Sequence, residues 1–397
     1  MAAKQPSIET LVLHADGHDK PLKSHANPIF QTSSFVFDSP EHGRQLFAGE
    51  EKGHIYSRIG NPTIETFEKM MTVLEQGSGA VAFSSGMAAI MGCTLPHLRA
   101  GDHLIIGDTL YGPSTTMLTG RYEKFGIETA VVDTSEIENV KAAFKPNTKL
   151  VFLETPANPT GKLSDVEAIS EIAHGHHALV AVDATFSSPY NFQPLLHGAD
   201  LVAHSLTKYI NGHGDVVGGV VTCKTPEIAT AVRNWRKDTG SILGPFDAWL
   251  VIRGLRTLPV RMERHNKNAK AVAEFLRSRP EVSKVMYPGF EDFPHHDVAV
   301  KQMREGCYGS TFSFCMKGGY DAAKKLLENL HLCTVAVSLG NTDTLIEHPA
   351  SMTHASVPEE LMKKQGLTKD LIRISVGLEN VDEIIDDLKH GLEIVGC

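Results

Sequence analysis

The sequence contains no apolar run long enough to cross a bilayer. Uninterrupted apolar stretches, such as residues 150–153 and 179–182, are only a few residues long, whereas a membrane-spanning helix needs about 20. The N-terminal segment MAAKQPSIET also lacks the apolar core of a secretory signal. We therefore expect a cytoplasmic protein with no membrane partner.

Concentrated basic charge is absent as well. The chain has 38 Lys and Arg against 47 Asp and Glu, which gives a net charge of −9 at pH 7, and its basic residues are scattered. Because nucleic acids are bound through a concentrated basic surface, we predict no nucleic-acid partner. A small anionic ligand remains compatible with this charge, because a few positioned groups can bind it.

Paired cysteines are missing too. No CxxC motif occurs, and the closest pair has no neighbouring histidine at metal-ligand spacing. A disulfide scaffold is not expected in a chain of this length without a secretory signal. We predict reduced thiols and no metal site. The six cysteines are Cys93, Cys223, Cys307, Cys315, Cys333 and Cys397.

The 397 residues are too many for one ordinary core and predict two packed units with an arm. Residues 1–60 are irregular and rich in loops, with one strand-like stretch at 34–37, and predict an arm that lies on another subunit. Residues 61–258 alternate helix- and strand-like segments, which is typical of a large domain with a mostly parallel sheet flanked by helices. Residues 259–397 contain fewer strands and predict a smaller C-terminal α/β domain.

One segment, AHSLTKYINGHGDVVGG at 203–219, carries a candidate reactive lysine. A predicted strand is followed by Ser205, Thr207 and Lys208 and then by several glycines. Hydroxyl and backbone N–H groups on one turn suit a phosphate, and a partly neutral lysine beside them can attack a carbonyl. On this segment alone, a surface lysine before a flexible glycine loop is an equally good interpretation.

Three other strand ends carry candidate binding groups. Asp183 ends an apolar strand where open α/β sheets bind ligands, so it can pair with a ring nitrogen or simply cap the next helix. Ser85, Gly86 and Met87 form a strand-to-helix turn that can bind a phosphate or only connect two elements. Tyr111 can stack on a flat cofactor ring or pack in the core.

Two remote arginines complete the set of candidates. Arg58 lies in the arm within YSRIGNP, and Arg373 lies in the last strand within RISVG. The planar guanidinium group binds a carboxylate or a phosphate, although an arginine more often forms a surface ion pair of small energetic effect. Each signal is weak alone, and their joint occurrence in this order indicates a cofactor site.

Together these segments resemble the Cys/Met-metabolism family of PLP (pyridoxal 5'-phosphate) enzymes. The resemblance extends from about Thr10 to the C-terminus and implies the aspartate aminotransferase-like fold of PLP-dependent transferases (fold type I), with PLP as cofactor. The matching motifs are YSRIGNPT at 56–63, SSGMAA at 84–89, ETPANPT at 154–160, VDATFSSP at 182–189, HSLTKYINGHGD at 204–215 and AVSLG…HPASMTH at 336–354.

The resemblance implies a role for each candidate. Lys208 would bind PLP covalently and move protons between substrate carbons, Asp183 would pair with the pyridine nitrogen, and Tyr111 would stack on the ring and protonate the leaving thiolate. Asn158 would lie near the cofactor hydroxyl, and Arg373 with Ser338 would bind the substrate α-carboxylate. The residues expected at the phosphate are Ser85, Gly86, Met87, Ser205 and Thr207, with Tyr56 and Arg58 from a neighbouring subunit of a homotetramer.

Two positions bear on the sulfur amino acid that such an enzyme would use. Val337 stands where the family's cystathionine γ-lyases typically carry glutamate, and the loss of a carboxylate favours an apolar tail such as the thioether of methionine. Pro113 stands where members that cleave methionine usually carry cysteine and where cystathionine β-lyases can carry proline. The resemblance therefore implies α,γ-elimination of methionine by a carbon-sulfur lyase, with side activity on homocysteine and cysteine.

Other functions stay open at this point. The same motifs occur in cystathionine γ- and β-lyases and in the synthases and sulfhydrylases that act on activated homoserine. A PLP-binding protein without turnover is a further alternative, although the intact set of Lys208, Asp183, Tyr111 and Arg373 argues against it.

Overall fold

A computed structural model describes residues 6–17, 21–353, 355, 362 and 366–396 of the chain. The helices with described bounds are α1 (Ile8–His14), α2 (Pro40–Ala48), α3 (Pro62–Leu74), α4 (Gly86–Thr94), α5 (Gly112–Thr116), α6 (Ile137–Ala143), α7 (Val166–Gly175), α8 (Ser188–Asn191), α9 (Pro226–Thr239), α10 (Pro245–Leu255), α11 (Leu258–Arg277), α12 (His296–Gln302), α13 (Gly319–Leu327) and α14 (Val381–Val395). The described strands are β1 (Gly79–Phe83), β2 (His103–Gly107), β3 (Glu128–Val132), β4 (Thr148–Glu154), β5 (Leu179–Asp183), β6 (Leu201–Ser205), β7 (Gly219–Cys223), β8 (Val282–Met286), β9 (Thr311–Met316), β10 (Thr334–Val335), β11 (Leu345–Glu347) and β12 (Leu371–Ser375).

The first sheet has seven strands in the order β1-β7-β6-β5-β4-β2-β3. Neighbouring strands from β6 to β3 run parallel, and β7 is antiparallel to both β1 and β6. Helices cover both faces, because the strands carry apolar side chains on both sides. On β1, for example, Ala82 packs with Phe67 of α3, whereas Phe83 packs with Ile90 of α4. The predicted mostly parallel sheet flanked by helices is confirmed.

The second sheet is smaller and is formed by the C-terminal part of the chain. Its five strands have the order β10-β11-β12-β9-β8 and are antiparallel except for the pair β10 and β11. Leu276 of α11, Leu326 of α13 and Leu388 of α14 pack with Phe312 and Ile374 of this sheet. The predicted boundary between residues 258 and 259 falls at the start of α11 and stays a prediction.

The N-terminal arm departs from the expected local structure. Residues 34–37 form no strand: only Ser34 makes an antiparallel bridge, to Tyr56, and Val36 is 96% exposed. Such a short pairing without a third strand buries too little surface to stabilise a ladder, so the predicted strand is wrong. Part of the arm also belongs to the core of its own chain, since α1 packs on α3 and buries Val12.

No helix among the described residues combines the length and the apolar character needed to cross a membrane. The five cysteines that the structure describes are free thiols. Cys397 lies outside the described residues, as does residue 354 at the end of the last motif.

Candidate active site

A cavity of about 340 Å³ lies where the carboxyl ends of β4, β5 and β6 meet the second sheet. This volume falls in the usual range of small-molecule sites, which is about 300–1,000 Å³. Most of the candidate residues line it: Ser85, Gly86, Met87, Tyr111, Asn158, Asp183, Ser205, Thr207, Lys208, Val337, Ser338 and Arg373. Tyr56, Arg58 and Pro113 are not among the described residues that line the cavity.

One end of the cavity carries the kind of hydrogen-bond donors that a phosphate needs. Ser85 caps α4 and its side chain accepts a hydrogen bond from the Ala88 N–H at 3.1 Å, while the N–H groups of the first turn have no partner within the helix. A Cβ on Gly86 would lie 3.0 Å from the Cβ of Ser205, so glycine lets this turn approach the end of β6. The hydroxyls of Ser205 and Thr207 add donors on the other side, and such a donor set suits an anion.

Lys208 lies between the two sheets. Its Nζ donates a hydrogen bond to Ser338 Oγ at 2.7 Å. Burial and the nearby positive charge of Arg373 lower the pKa of the Lys208 ammonium to about 8, against an opposing effect of Glu347. A useful fraction of this amine is therefore neutral near pH 7, which is the form that attacks a carbonyl or accepts a proton.

Two carboxylates stand side by side at the ends of β4 and β5. Glu154 and Asp183 are register partners in this parallel pair. Burial raises the pKa of the Asp183 carboxyl, against hydrogen bonds from Thr185 and the charge of His204. Burial and then the charge of Asp183 raise the pKa of the Glu154 carboxyl. A protonated ring nitrogen is a cation that would stabilise the ionised form of such a carboxylate, so the site fits the ring of PLP.

Glu154 was not among the residues singled out from the sequence. Its two oxygens accept hydrogen bonds from the backbone N–H groups of Tyr111, at 2.7 Å, and Asn158, at 2.9 Å. One buried carboxylate thus holds two segments that were predicted to contact the cofactor. The strand-end rule that singled out Asp183 applies equally to Glu154 and would have found it.

Arg373 has a buried protein partner that the sequence did not reveal. Its Nη1 lies 2.9 Å from a Glu347 oxygen, and both side chains are almost fully buried. The guanidinium also donates to Asn158 Oδ1 at 3.3 Å and to the Ser338 carbonyl at 2.6 Å. These contacts leave two of its five N–H donors for a substrate carboxylate, and one of them, on Nε, is buried without a partner among the described residues.

The backbone at Ser338 is strained. Its φ of +90° lies in the left-handed region that side chains rarely adopt, and the contacts with Lys208 and Arg373 hold it there. Strain of this kind persists where the surrounding structure over-determines a functional geometry. Val337, just before it, is 52% exposed and lines the cavity.

Three predicted residues lie at the edge of the site or beyond it. Pro113 is in the first turn of α5, where its fixed φ suits a helix start, two residues after the cavity-lining Tyr111. Tyr56 and Arg58 are exposed on the arm, and Arg58 Nη1 donates to the Lys237 carbonyl at 2.6 Å. The other predicted residues therefore line one cavity around Lys208, whereas Tyr56, Arg58 and Pro113 do not. The role predicted for each residue in binding or catalysis stays a prediction.

The chain belongs to the Cys/Met metabolism PLP-dependent enzyme family, whose model matches residues 9–393. Pyridoxal 5'-phosphate is therefore its cofactor, in agreement with the glycine turn at the start of α4, the buried lysine and the strand-end carboxylates. The fold type predicted from the motifs is confirmed.

Several proteins with named activities are similar to this chain over nearly its full length. An L-methionine gamma-lyase of Fusobacterium nucleatum subsp. polymorphum is 50% identical over 396 residues, which covers 99% of this chain and 100% of that protein. A cystathionine beta-lyase of Lactococcus lactis subsp. cremoris is 44% identical over 388 residues, 98% of this chain and 99% of that protein. The solved structure of a putative O-acetylhomoserine (thiol)-lyase of Campylobacter jejuni, which contains N'-pyridoxyl-lysine-5'-monophosphate, has a TM-score of 0.94 at 32% identity and covers 97% of this chain and 99% of that one.

The lowered pKa of Lys208 makes the uptake of cofactor sensitive to pH. Only the neutral amine attacks an aldehyde, so the rate at which cofactor-free protein captures pyridoxal phosphate should rise with pH and level off above about 8. An ordinary lysine would level off near about 10.4. Stopped-flow absorbance measures this rate.

Arg373→Met serves as the internal comparison for this experiment. Because the Arg373 charge lowers the pKa of Lys208, the variant's midpoint should move to higher pH. A midpoint at the ordinary lysine value in the unmodified protein would contradict the described environment of the amine.

Proposed function

We propose that this chain catalyses the α,γ-elimination of L-methionine to methanethiol, ammonia and 2-oxobutanoate. The observation that carries the proposal is the apolar wall of the cavity beside Ser338. Val337 and Val217 both line the cavity and are 52% and 64% exposed, so an apolar thioether tail would cover them favourably. The Fusobacterium relative named L-methionine gamma-lyase, which matches nearly the whole chain, supports the same substrate.

The chemistry divides between the cofactor and the protein. Pyridoxal phosphate, when bound, supplies an electron sink that stabilises negative charge next to the substrate's α-carbon. The neutral amine of Lys208 accepts the α-proton and carries protons between neighbouring carbons, with Ser338 Oγ as its hydrogen-bond partner. Arg373 orients the substrate carboxylate, and the Tyr111 hydroxyl donates a proton to the thiolate that leaves the γ-carbon.

A substrate panel tests this assignment. The unmodified enzyme should release methanethiol and 2-oxobutanoate from methionine, with weaker activity on homocysteine and cysteine. Lys208→Ala should reduce turnover by at least about 100-fold because it removes the proton carrier, and borohydride should no longer fix the cofactor to the chain. The exposed Lys224→Ala is the matched control and should keep full activity.

The same panel separates the alternatives. Faster turnover of cystathionine would favour the activity that the Lactococcus relative's name describes, and product formation only from O-acetylhomoserine with sulfide would favour a sulfhydrylase. Methanethiol release by Lys208→Ala at the unmodified rate would refute the proposed mechanism.

Pro113 offers a separate test of substrate choice. In α5 it follows Tyr111 by two residues, so a thiol introduced by Pro113→Cys would stand near the proposed acid without a change in the cofactor contacts. We expect the ratio of kcat/KM for methionine to that for cysteine to change by at least about threefold, which corresponds to about 0.65 kcal/mol or more in transition-state binding. Pro113→Ala is the control for the loss of proline, and equal ratios in all three enzymes would show that this position does not influence specificity.

We further propose that the enzyme is a homotetramer in which Tyr56 and Arg58 bind the phosphate of a neighbouring subunit's cofactor. Both residues are exposed and lie outside the described lining of their own chain's cavity. The arm also exposes the apolar side chains of Val36 and Phe47, which are 96% and 69% accessible, and burial of such side chains against another subunit would be favourable.

Subunit mixing tests this arrangement. Arg58→Ala and Lys208→Ala homo-oligomers should both be nearly inactive, because each lacks one part of every site. Co-expression should restore up to about one quarter of the unmodified activity. About half of the randomly formed pairs contain both variants, and each such pair has one complete site out of two. No recovery in mixed oligomers that mass spectrometry verifies would show that Arg58 acts within its own chain.

A further inference from the structure

A chain of buried hydroxyl groups starts at the residue that follows Lys208. Tyr209 is 1% exposed, and its hydroxyl lies 2.8 Å from both Ser310 Oγ and Thr311 Oγ1. Thr311 Oγ1 donates to Ser375 Oγ at 3.1 Å, and Ser375 Oγ accepts a hydrogen bond from the Gly340 N–H at 2.9 Å. The chain therefore runs from the first sheet into the second.

Both ends of this chain lie beside groups that were placed in the active site. Tyr209 directly follows Lys208, and Ser375 lies two residues after Arg373 on the same face of β12. Gly340 lies two residues after Ser338, which contacts both Lys208 and Arg373. The loop from Ser338 to Gly340 is thus held at one end by reactive groups and at the other by the hydroxyl chain.

Close packing makes the connection stiff. Gly340 has a φ of +73°, and a Cβ at this position would lie 2.7 Å from the Tyr209 backbone N and 2.9 Å from its Cγ. The Tyr209 ring also meets His265 edge-on at 5.4 Å, and His265 Nδ1 lies 2.7 Å from the Val376 carbonyl oxygen. Interiors packed at this density transmit a displacement instead of absorbing it.

We propose that Tyr209 is a positioning residue: its hydroxyl, through Thr311 and Ser375, sets the distance between the Lys208 amine and the Ser338–Arg373 group that receives the substrate carboxylate. The inference rests on the proposed function for the identity of that carboxylate. The expected cofactor contacts at Ser85, Gly86 and Asp183 come from α4 and the first sheet, so the proposal predicts an effect on substrate binding that leaves cofactor binding unchanged.

Tyr209→Phe in the holoenzyme tests the proposal. The change removes one hydroxyl and leaves the ring, so two buried hydroxyls lose a partner and the loop loses its fixed position. We expect the KM for methionine to rise roughly 10-fold, with a smaller change in kcat. The inhibition constant of 4-(methylthio)butanoate, which is methionine without its amine, should rise by a similar factor.

The matched control is Tyr122→Phe. Tyr122 is also fully buried and its hydroxyl is bonded to Thr94 in the first sheet's helical layer. This variant should lose thermal stability like Tyr209→Phe, yet keep its KM and inhibition constant within about twofold, because ordinary stability changes do not move the loop. Equal kinetic effects in the two variants would assign Tyr209 a merely structural role and overturn the proposal.

A double-variant cycle tests the path through Ser375. If Tyr209 acts through Ser375, Ser375→Ala should raise the KM similarly, and the double variant should be no worse than the weaker-binding single variant. Effects that multiply would mean that the two residues act independently and would overturn the proposal. A loss of affinity for pyridoxal phosphate in Tyr209→Phe, measured by titration of cofactor-free protein, would overturn it as well.

The test of Tyr209 does not depend on whether methionine is the substrate. If the unmodified enzyme does not cleave methionine but turns over another amino acid of the panel, the KM of that amino acid provides the same comparison among the variants. A KM for that substrate that does not differ between Tyr209→Phe and the unmodified enzyme would end the inference on its own.

Discussion

The Lys208 amine and Ser338 join the two sheets at the candidate active site through a hydrogen bond of 2.7 Å. The first sheet supplies the lysine at the end of β6, and the second sheet supplies Arg373, which fixes the Ser338 carbonyl. Burial between the sheets lowers the pKa of the ammonium to about 8, so a larger fraction of the amine is neutral near pH 7 than for an ordinary lysine. Neither sheet produces this environment alone, because the amine and the Ser338–Arg373 group come from different sheets.

Buried charge is the second constraint, because an unpaired ion in an apolar interior is strongly unfavourable. Arg373 is balanced by Glu347 at 2.9 Å. Asp183 and Glu154 stand together at neighbouring strand ends, and burial raises the pKa of both. A protonated ring nitrogen beside Asp183 would add a cation to this wall, so cofactor binding would be linked to the charge state of the two carboxylates.

The sequence predicted the parts of the site that follow from local rules. The strand-end rule found Asp183 and Lys208, because buried parallel strands have clear boundaries and their carboxyl ends share one edge of the sheet. Glu347 could not be found in this way, since β11 is only three residues long and its partner Arg373 lies on another strand. The hydroxyl chain of Tyr209, Thr311 and Ser375 could not be predicted either, because its members are far apart in the sequence. For residues 34–37 the sequence predicted a strand that the structure does not contain. Their composition is typical of a strand, but no adjacent strands complete a sheet there.

The groups expected to bind the cofactor and those expected to lie beside the substrate tail come from different parts of the chain, which is compatible with several activities in one family. The groups expected to bind the cofactor come from the strand ends of the first sheet and from α4, whereas Val337 and Ser338 come from a loop of the second part. In the proposed arrangement, a substitution in that loop would change the surroundings of the substrate tail and leave the turn at Gly86 and the Asp183 carboxylate in place. Relatives named for methionine and for cystathionine match this chain at 50% and 44% identity over nearly its full length. The proposed connection through Tyr209 would hold the two sheets in one arrangement while side chains in the loop at Val337 vary, because a closely packed interior resists displacement.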